Sequence, residues 1–440
     1  MKSLQIITLG CSKNTVDTER LLGSLEGHYD IVPEEDPSRP VDVLLVNTCG
    51  FIGDAKEESI QAVLSAAERK KSGSVGKLLV FGCLSQRYMS QLPDLIPEVD
   101  GWFGARDLAP LVRALGCDPS GYPVRHRTDS HAYAYLKISE GCDRRCSYCA
   151  IPFIRGVHKS VPMEDLVKEA EYLAGTGVKE LILIAQDTTY YGLDLYHKRS
   201  LAALIRQLSL IDGIEWIRIH YSYPADFPED VLDEMASNPK VCKYLDIPLQ
   251  HISDKVLSKM HRQVDGAWTR ELVLKLREKI PGVVLRTTMI VGHPGEGKRD
   301  FAELLEFLQE ARFERLGAFM YSEEEGTFGA AHYNDRIPKA EKRRRLEELM
   351  QVQRDISLTF NQSRIATIEK VLIDDYSDGV FVCRSAFESP DVDGEIIVRY
   401  TPELFDGIEP ENFLGKFLEV KITAADEYDL VAEPVKLINK

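Results

Sequence analysis

Glu140-Gly-Cys-Asp-Arg-Arg-Cys-Ser-Tyr-Cys-Ala150 contains a Cys142-x3-Cys146-x2-Cys149 cluster, three thiols within eight residues. Asp143, Arg144 and Arg145 stand among them, so this is not core filling. Three soft ligands would hold an iron–sulfur cube with one iron left open to a small molecule. Zinc is the competing reading. Zinc sites usually combine close ligand pairs with a fourth residue, and no nearby Cys or His supplies one.

Working outward, the chain has 440 residues, enough for two or three domains. It is 44% hydrophobic and 28% charged, the composition of a soluble globular protein. No apolar run reaches the length of a membrane span. The opening Met-Lys-Ser-Leu-Gln-Ile-Ile-Thr-Leu reads as a strand without the long apolar region of a signal peptide. Nine cysteines, an odd number with no disulfide-framework spacing, imply reduced thiols and a cytoplasmic location. The formal charge of −16 argues against a large nucleic-acid footprint and favours basic partners.

The first 120 residues alternate strand and helix signals. Apolar runs Leu4–Leu9, Val41–Val46 and Lys77–Phe81 end just before Gly10-Cys11, Asn47-Thr-Cys49-Gly50 and Gly82-Cys83. Helical spacing covers Thr15–Leu25 and Ala55–Lys71, the latter with Ile60, Val63, Leu64 and Ala67 on one face. Such alternation implies a parallel sheet, whose strand C-termini share one ligand-binding edge. Cys11, Cys49 and Cys83 are therefore predicted to meet as a second three-ligand set. Gly10, Gly50 and Gly82 suit close backbone approach or simple turns. Gly116–Ser130, with Asp118-Pro-Ser-Gly-Tyr-Pro123, reads as a linker; Cys117 within it has no evident partner.

A second alternation begins near residue 132. Strands are predicted at Ala132–Ile138, Glu180–Ala185, Trp216–Tyr221, Tyr244–Leu249, Val283–Val291 and Arg315–Tyr321, with helices between them. Six units suggest an open (βα)6 version of the eight-fold barrel, with its site at the strand C-termini. The Cys142 loop follows the first strand directly. Gln186-Asp187-Thr188-Thr189, His220-Tyr221-Ser222, Gln250-His251, Gly292-His293-Pro294-Gly295-Glu296 and Tyr321-Ser322-Glu323 follow the others, and together are expected to line one mouth. Pro338–Phe360 reads as one helix, its Lys342-Arg-Arg-Arg345 run expected on a solvated face rather than on RNA. Beyond it, short β signals and turns such as Asp391-Val-Asp-Gly394 suggest a small antiparallel barrel. Residues 366–440 hold 17 Asp/Glu against 7 Lys/Arg, a net −10 that suits a basic protein partner.

The Cys142-x3-Cys146-x2-Cys149 loop with Tyr148 resembles the signature of radical S-adenosylmethionine enzymes. With the N-terminal triad, the barrel and the β domain, nearly the whole chain resembles the methylthiotransferase family. Thr8-Leu-Gly-Cys11-Ser-Lys-Asn14, Asn47-Thr-Cys49-Gly-Phe-Ile52, Gln186-Asp-Thr-Thr189 and Ser389-Pro-Asp-Val-Asp-Gly-Glu395 match the branch that modifies ribosomal protein S12. The tRNA-modifying branch usually has Gln-Asn-Val for Gln186-Asp-Thr and a more basic C-terminal domain.

The resemblance implies an α/β architecture of three domains. These are an N-terminal α/β domain (1–120) carrying an auxiliary cluster, a radical barrel with closing helix (128–360), and a TRAM-like β-barrel (361–437) for substrate docking. It implies two 4Fe-4S clusters and S-adenosylmethionine as cofactors. The cluster on Cys142, Cys146 and Cys149 would chelate S-adenosylmethionine and reduce it to a 5′-deoxyadenosyl radical. The cluster on Cys11, Cys49 and Cys83 would carry the sulfur that is methylated and collected by the β-carbon of a substrate aspartate. Tyr148 is implied near the adenine, Gln186 near the bound S-adenosylmethionine, and Glu296 in the loop that shapes that pocket. An external electron donor, a monomeric state, no membrane and no direct nucleic-acid contact are expected. The alternatives are a tRNA adenosine methylthiotransferase and a non-catalytic metal-binding interaction protein.

Overall fold

A computed structural model of the chain describes residues 1–33, 39–119, 125–405 and 407–438. The Ser120–Val124 part of the expected linker lies outside them. The N-terminal sheet holds β1 (Lys2–Thr8), β2 (Tyr29–Val32), β3 (Val41–Thr48), β4 (Val75–Gly82) and β5 (Gly101–Trp102). All pair in parallel, in the order β2-β1-β3-β4-β5. The short edge strands β2 and β5 escaped the sequence reading, being too brief to show a period. The three strands that precede Cys11, Cys49 and Cys83 lie side by side.

The helix Gly53–Lys71 has Asp54 in its first turn and Arg69, Lys70 and Lys71 in its last, complementing the helix dipole. Its buried face is Ser59, Val63, Ala66 and Ala67, whereas Ile60 and Leu64 are 36% and 41% exposed. The expected stripe is thus rotated, because small residues are what let this helix lie close on the sheet. The helix Ser12–Leu25 is enclosed on both sides. Leu21, Leu22 and Leu25 enter the N-terminal core, while Val16 packs against Tyr133, Ile182 and Ile184 of the next domain.

The central sheet comprises β6 (Tyr133–Lys137), β9 (Glu180–Ile184), β10 (Trp216–Ile219), β11 (Val241–Asp246), β12 (Val284–Val291) and β13 (Arg315–Met320). Between β6 and β9, a two-stranded ribbon of β7 (Ser139–Glu140) and β8 (Lys159–Ser160) closes the neck of the cysteine loop. The sheet is an open, all-parallel array in the order β13-β12-β11-β10-β9-β6. Its apolar core is the largest in the chain and includes Leu349 and Ile356 of the long helix Lys339–Ser363. Among the described residues no helix is long and apolar enough to cross a membrane.

The basic run on the long helix is half structural, contrary to a wholly solvated face. Lys342 is buried with its Nζ donating to Tyr321 O at 3.0 Å, and Arg345 is buried on Glu296. Only Arg343 and Arg344 face solvent.

The C-terminal strands β14 (Ile368–Ser377), β15 (Val380–Ser385), β16 (Ile396–Arg399), β17 (Phe417–Ala425) and β18 (Leu430–Ile438) form a closed barrel. Four seams are antiparallel and the β16–β18 seam is parallel. This barrel seats Leu372 and Phe417 against Ala132, Trp216, Cys242, Tyr244 and Val284, at the N-terminal end of the central sheet and opposite the mouth.

Ions hold that seat. Glu180 accepts from Arg218 Nε at 2.6 Å and from Arg384 Nη1 at 2.8 Å, and Arg384 also pairs with Asp374. Replacing Glu180 with Gln leaves two buried guanidinium groups short of a counter-charge. Loss of about 3–5 kcal/mol of stability is expected, read as a lower urea midpoint with proteolytic cutting between Ser363 and Ile368.

Candidate metal centres

The loop bearing Cys142, Cys146 and Cys149 is shaped by its neck. Gly141 has φ +75°, and a Cβ there would lie 2.1 Å from Val157 O, so only glycine fits. Cys142 N donates to Gly156 O at 3.0 Å, closing the ring of chain. Asp143 accepts from His158 N at 3.0 Å. At the top, Ser147 N donates to Met260 O at 3.1 Å and Gly329 N to Ser147 O at 2.6 Å, pinning the loop across the barrel mouth. Arg144 pairs with Asp187 at 2.9 Å and lies over the rings of Tyr223 and Tyr190 at 3.9 and 4.5 Å. Arg262 Nη1 lies 3.6 Å from Cys146 Sγ, and its guanidinium is 4.3 Å from the centroid of the Tyr223 ring.

The second set forms where β1, β3 and β4 end together. Cys11 caps the helix Ser12–Leu25, Cys49 follows β3, and Cys83 opens the helix Cys83–Tyr88. Gly10, at φ +95°, brings backbone against Cys49; a Cβ would sit 2.7 Å from Cys49 Cβ and 3.1 Å from its Sγ. Asn14 ties the edge together, its amide donating to Leu9 O at 2.7 Å and Thr48 O at 3.3 Å. Ser59 exchanges hydrogen bonds with the backbone N–H and C=O of Cys49, both at 2.9 Å.

The two sets meet through one side chain. Arg155, on the short helix after Cys149, is 2% exposed. Its Nε donates to Cys83 Sγ at 3.2 Å and Nη2 to Asn14 Oδ1 at 2.5 Å. Nη1 reaches Asp17 Oδ2 at 2.6 Å and Glu140 Oε2 at 3.1 Å. Lys137 bridges the same two carboxylates, pairing with Asp17 and lying 2.8 Å from Glu140. Glu140 Oε1 then accepts from Gln186 Nε2 at 2.7 Å. This chain of contacts runs from the end of β4 to the mouth of the central barrel.

Burial is the leading influence on the thiols whose protonation is shifted. Burial, helped by the charges of Asp187 and Cys146, pushes Cys142 up to about 12. Burial and the neighbouring Cys146 and Cys142 also raise Cys149. Burial drives Cys83 up to about 11, with Cys49 and Cys11 adding to it and Arg155 pulling against it. Burial raises Cys49, and would raise Cys11, but Lys13, Arg155 and the helix-start amides of Lys13 and Asn14 bring Cys11 below its ordinary value. Thiols held protonated in this way release protons when a metal binds. Among the described residues no three His, Cys, Asp or Glu side chains converge on a point for one ion. An iron–sulfur cube does not need them to, since each thiolate takes its own iron. The donor sets fit such clusters.

The other expected residues divide. Tyr148 lies beside Cys146, Cys149, Arg262 and Tyr223, and burial raises its hydroxyl. Gln186 points its amide at Glu140 and leaves its Oε1 buried without a partner. Glu296 is fully engaged: Arg345 holds Oε1 at 2.7 Å, while Gly292 N and His293 N hold Oε2 at 2.6 and 3.3 Å. It fixes the loop rather than facing the mouth. Arg155, Arg262 and Lys137 were not found from sequence, because a lone basic residue carries no spacing signal. The surface grooves lined by Arg312, Ile356 and Thr359 lie at the N-terminal end of β13, away from both thiol sets.

Comparison with known proteins matches the profile of the Radical SAM superfamily to residues 136–308. Uncharacterized protein family UPF0004 matches 3–104 and the TRAM domain 365–435. The chain is 48% identical over 441 residues to "Ribosomal protein uS12 methylthiotransferase RimO" of Bacteroides thetaiotaomicron, covering 100% of this chain and 99% of the relative. A protein of the same name from Porphyromonas gingivalis is 48% identical over 434 residues, covering 98% and 99%. Among solved structures, the fold resembles the radical S-adenosylmethionine methyltransferase TsrM of Kitasatospora setae, with a TM-score of 0.55 at 14% identity over 73% and 72% of the two chains.

Arg155→Met should cost about 3–5 kcal/mol, because Asp17 and Glu140 would remain buried beside Lys137 alone. Chemical denaturation of the metal-free protein measures this. A loss below 1 kcal/mol would mean the network is not the joint between the two sheets.

Proposed function

Because the chain belongs to the radical S-adenosylmethionine methylthiotransferase family, in its RimO branch, we propose that it transfers a methylthio group to the β-carbon of an aspartate in ribosomal protein uS12. An iron–sulfur cluster and S-adenosylmethionine come with the family. The count of two 4Fe-4S clusters is our reading of the two thiol sets. Cys142, Cys146 and Cys149 would hold the one that works with S-adenosylmethionine, and Cys11, Cys49 and Cys83 the one that carries sulfur. When bound, these cofactors supply the radical and sulfur chemistry needed at an unactivated C–H bond, which acid–base groups cannot grip.

The protein's own contribution is placement. The observation that carries the reading is the pair of three-thiol sets at the ends of strands, linked by Arg155 through Cys83 and Glu140. Tyr148 and the free Oε1 of Gln186 stand at the mouth to meet S-adenosylmethionine. Arg144, locked on Asp187 and stacked on Tyr223, walls the same space. Glu296 acts one step back by holding the Gly292–Gly295 turn in shape. Residues 1–120, 128–360 and 361–437 are assigned to sulfur carrying, radical formation and substrate docking respectively. The net −10 of residues 366–440 would steer a basic ribosomal protein in a salt-dependent way. Electrons would come from an external donor.

A tRNA substrate fits less well. An acidic C-terminal region opposes phosphate binding, and the full-length relatives carry the ribosomal-protein name. Mass spectrometry of uS12 from cells with and without this gene is the test. A methylthio mass on one aspartate only when the gene is present is expected. An unchanged uS12 accompanied by a lost tRNA methylthio group would overturn the proposal.

A further inference from the structure

Lys13 is 8% exposed, the second residue of the helix Ser12–Leu25 and two residues past Cys11. Its Nζ sits 3.2 Å from the centroid of the Tyr221 ring. That ring contact is its sole polar engagement among the described residues. Every other buried Lys or Arg there has an oxygen or sulfur acceptor: Lys137 has Asp17 and Glu140, Lys342 has Tyr321 O and Asp335, and Arg155 has Asp17, Glu140 and Cys83. Arg125 and Arg218 are paired with Glu19 and Glu180, Arg262 donates to Pro248 O, and Arg315, Arg345, Arg364 and Arg384 hold Glu388, Glu296, Glu369 and Asp374. Buried charges are normally paired, since an ammonium out of water loses its hydration. An aromatic face recovers only a part of that. The ammonium of Lys13 thus has no carboxylate or carbonyl partner among the described residues.

Its place says which anion. Lys13 follows Cys11 by two residues at the start of its helix, and its ammonium lies on the ring of Tyr221, just past the end of β10 and tied to Asp246 at the end of β11. It therefore stands between the second thiol set and the barrel mouth. Asp246 is not its partner: Asp246 Oδ2 accepts from Tyr221 N at 3.0 Å and Oδ1 faces Arg286 at 3.5 Å. Tyr221 itself is held at φ +57°, a left-handed backbone unusual for a bulky residue. The clamp from Asp246 keeps the ring under the ammonium.

We propose that Lys13 binds the side-chain carboxylate of the substrate aspartate and is the residue that selects it. This rests on the reading of the protein as a uS12 aspartate methylthiotransferase. The carbon to be modified is two bonds from the carboxylate oxygens. A cation that grips those oxygens beside Cys11, at the barrel mouth, presents the β-carbon to the sulfur carried by the second thiol set. A neutral amide in place of the carboxylate would leave the ammonium unpaired, which makes the site discriminating rather than merely adhesive.

The test compares two uS12 peptides, one with the modified aspartate and one with Asn in its place, binding to the reconstituted full-length protein by fluorescence anisotropy. The unsubstituted protein should prefer the Asp peptide by ~10- to 100-fold, the range for a hydrogen bond to a charged group. Lys13→Met should remove that preference by weakening the Asp peptide alone. Lys13→Arg, which keeps the charge, should retain most of it. Retention of the preference in Lys13→Met, its equal loss in Lys13→Arg, or its absence from the unsubstituted protein would overturn the assignment. The uS12 mass measurement in cells is independent of these outcomes. A modified uS12 with no peptide preference defeats the role of Lys13 alone, whereas an unmodified uS12 defeats the reading beneath it.

Discussion

A buried guanidinium, that of Arg155, is the constraint on which the rest depends. It lies six residues beyond Cys149 in the chain and 3.2 Å from Cys83 in space. Taking one guanidinium and two carboxylates out of water is expensive, and it is tolerated only when their hydrogen bonds are nearly complete. Here Arg155, Lys137, Asp17 and Glu140 neutralise one another, and Asn14 and Gln186 occupy the flanking positions. Such a network fixes geometry more than it adds stability, because any slide between the two sheets would strand a charge. Both thiol sets are attached to it, one through Cys83 and the other through the Glu140 neck.

The polar cost is carried largely by one helix. Ser12–Leu25 turns Leu21, Leu22 and Leu25 into the N-terminal core and sends Asp17 to Lys137 and Arg155 of the central domain and Glu19 to Arg125 of the linker. A helix with acids on a buried face would be a poor solution in isolation. Between two domains, each acid meets a base from the opposite side. The far end of the central barrel follows the same logic. Arg218, Arg384 and Glu180 lock the C-terminal barrel below, and the Ser389–Glu395 turn runs up the inner wall, where Ser389 meets His220 at 2.9 Å and Asp393 meets Tyr244 at 2.6 Å. The motif that marked the branch in the sequence is, in the fold, the buttress behind His220.

Both parallel sheets were legible because apolar runs ending in Gly-Cys or Asn-Thr-Cys carry a local signal, and cysteine spacing marked both groups of thiols as candidate ligands. The adjacency of β1, β3 and β4 followed from the rule that parallel strands share an edge. What escaped was whatever depends on the opposite surface. Lys342 and Arg345 looked solvated because a basic run on a helix usually is, yet Glu296 and the Tyr321 carbonyl lie where two of its four residues point. Ile60 and Leu64 looked buried because periodicity ranks residues by hydrophobicity, while close packing on the sheet selected Ser59 and Ala66. Lys13 and Arg155 are single residues with no repeat to betray them, and only their surroundings show what they do.

Iron content tests the two-centre arrangement most directly. Two four-iron cubes give about eight irons per chain in the reconstituted protein. Substituting Ala for Cys142, Cys146 and Cys149 together should leave half the iron and no deoxyadenosine formation. The same change at Cys11, Cys49 and Cys83 should also leave half the iron, but with deoxyadenosine still formed. A protein that binds iron at one set only, or loses deoxyadenosine formation equally in both triple variants, would contradict it.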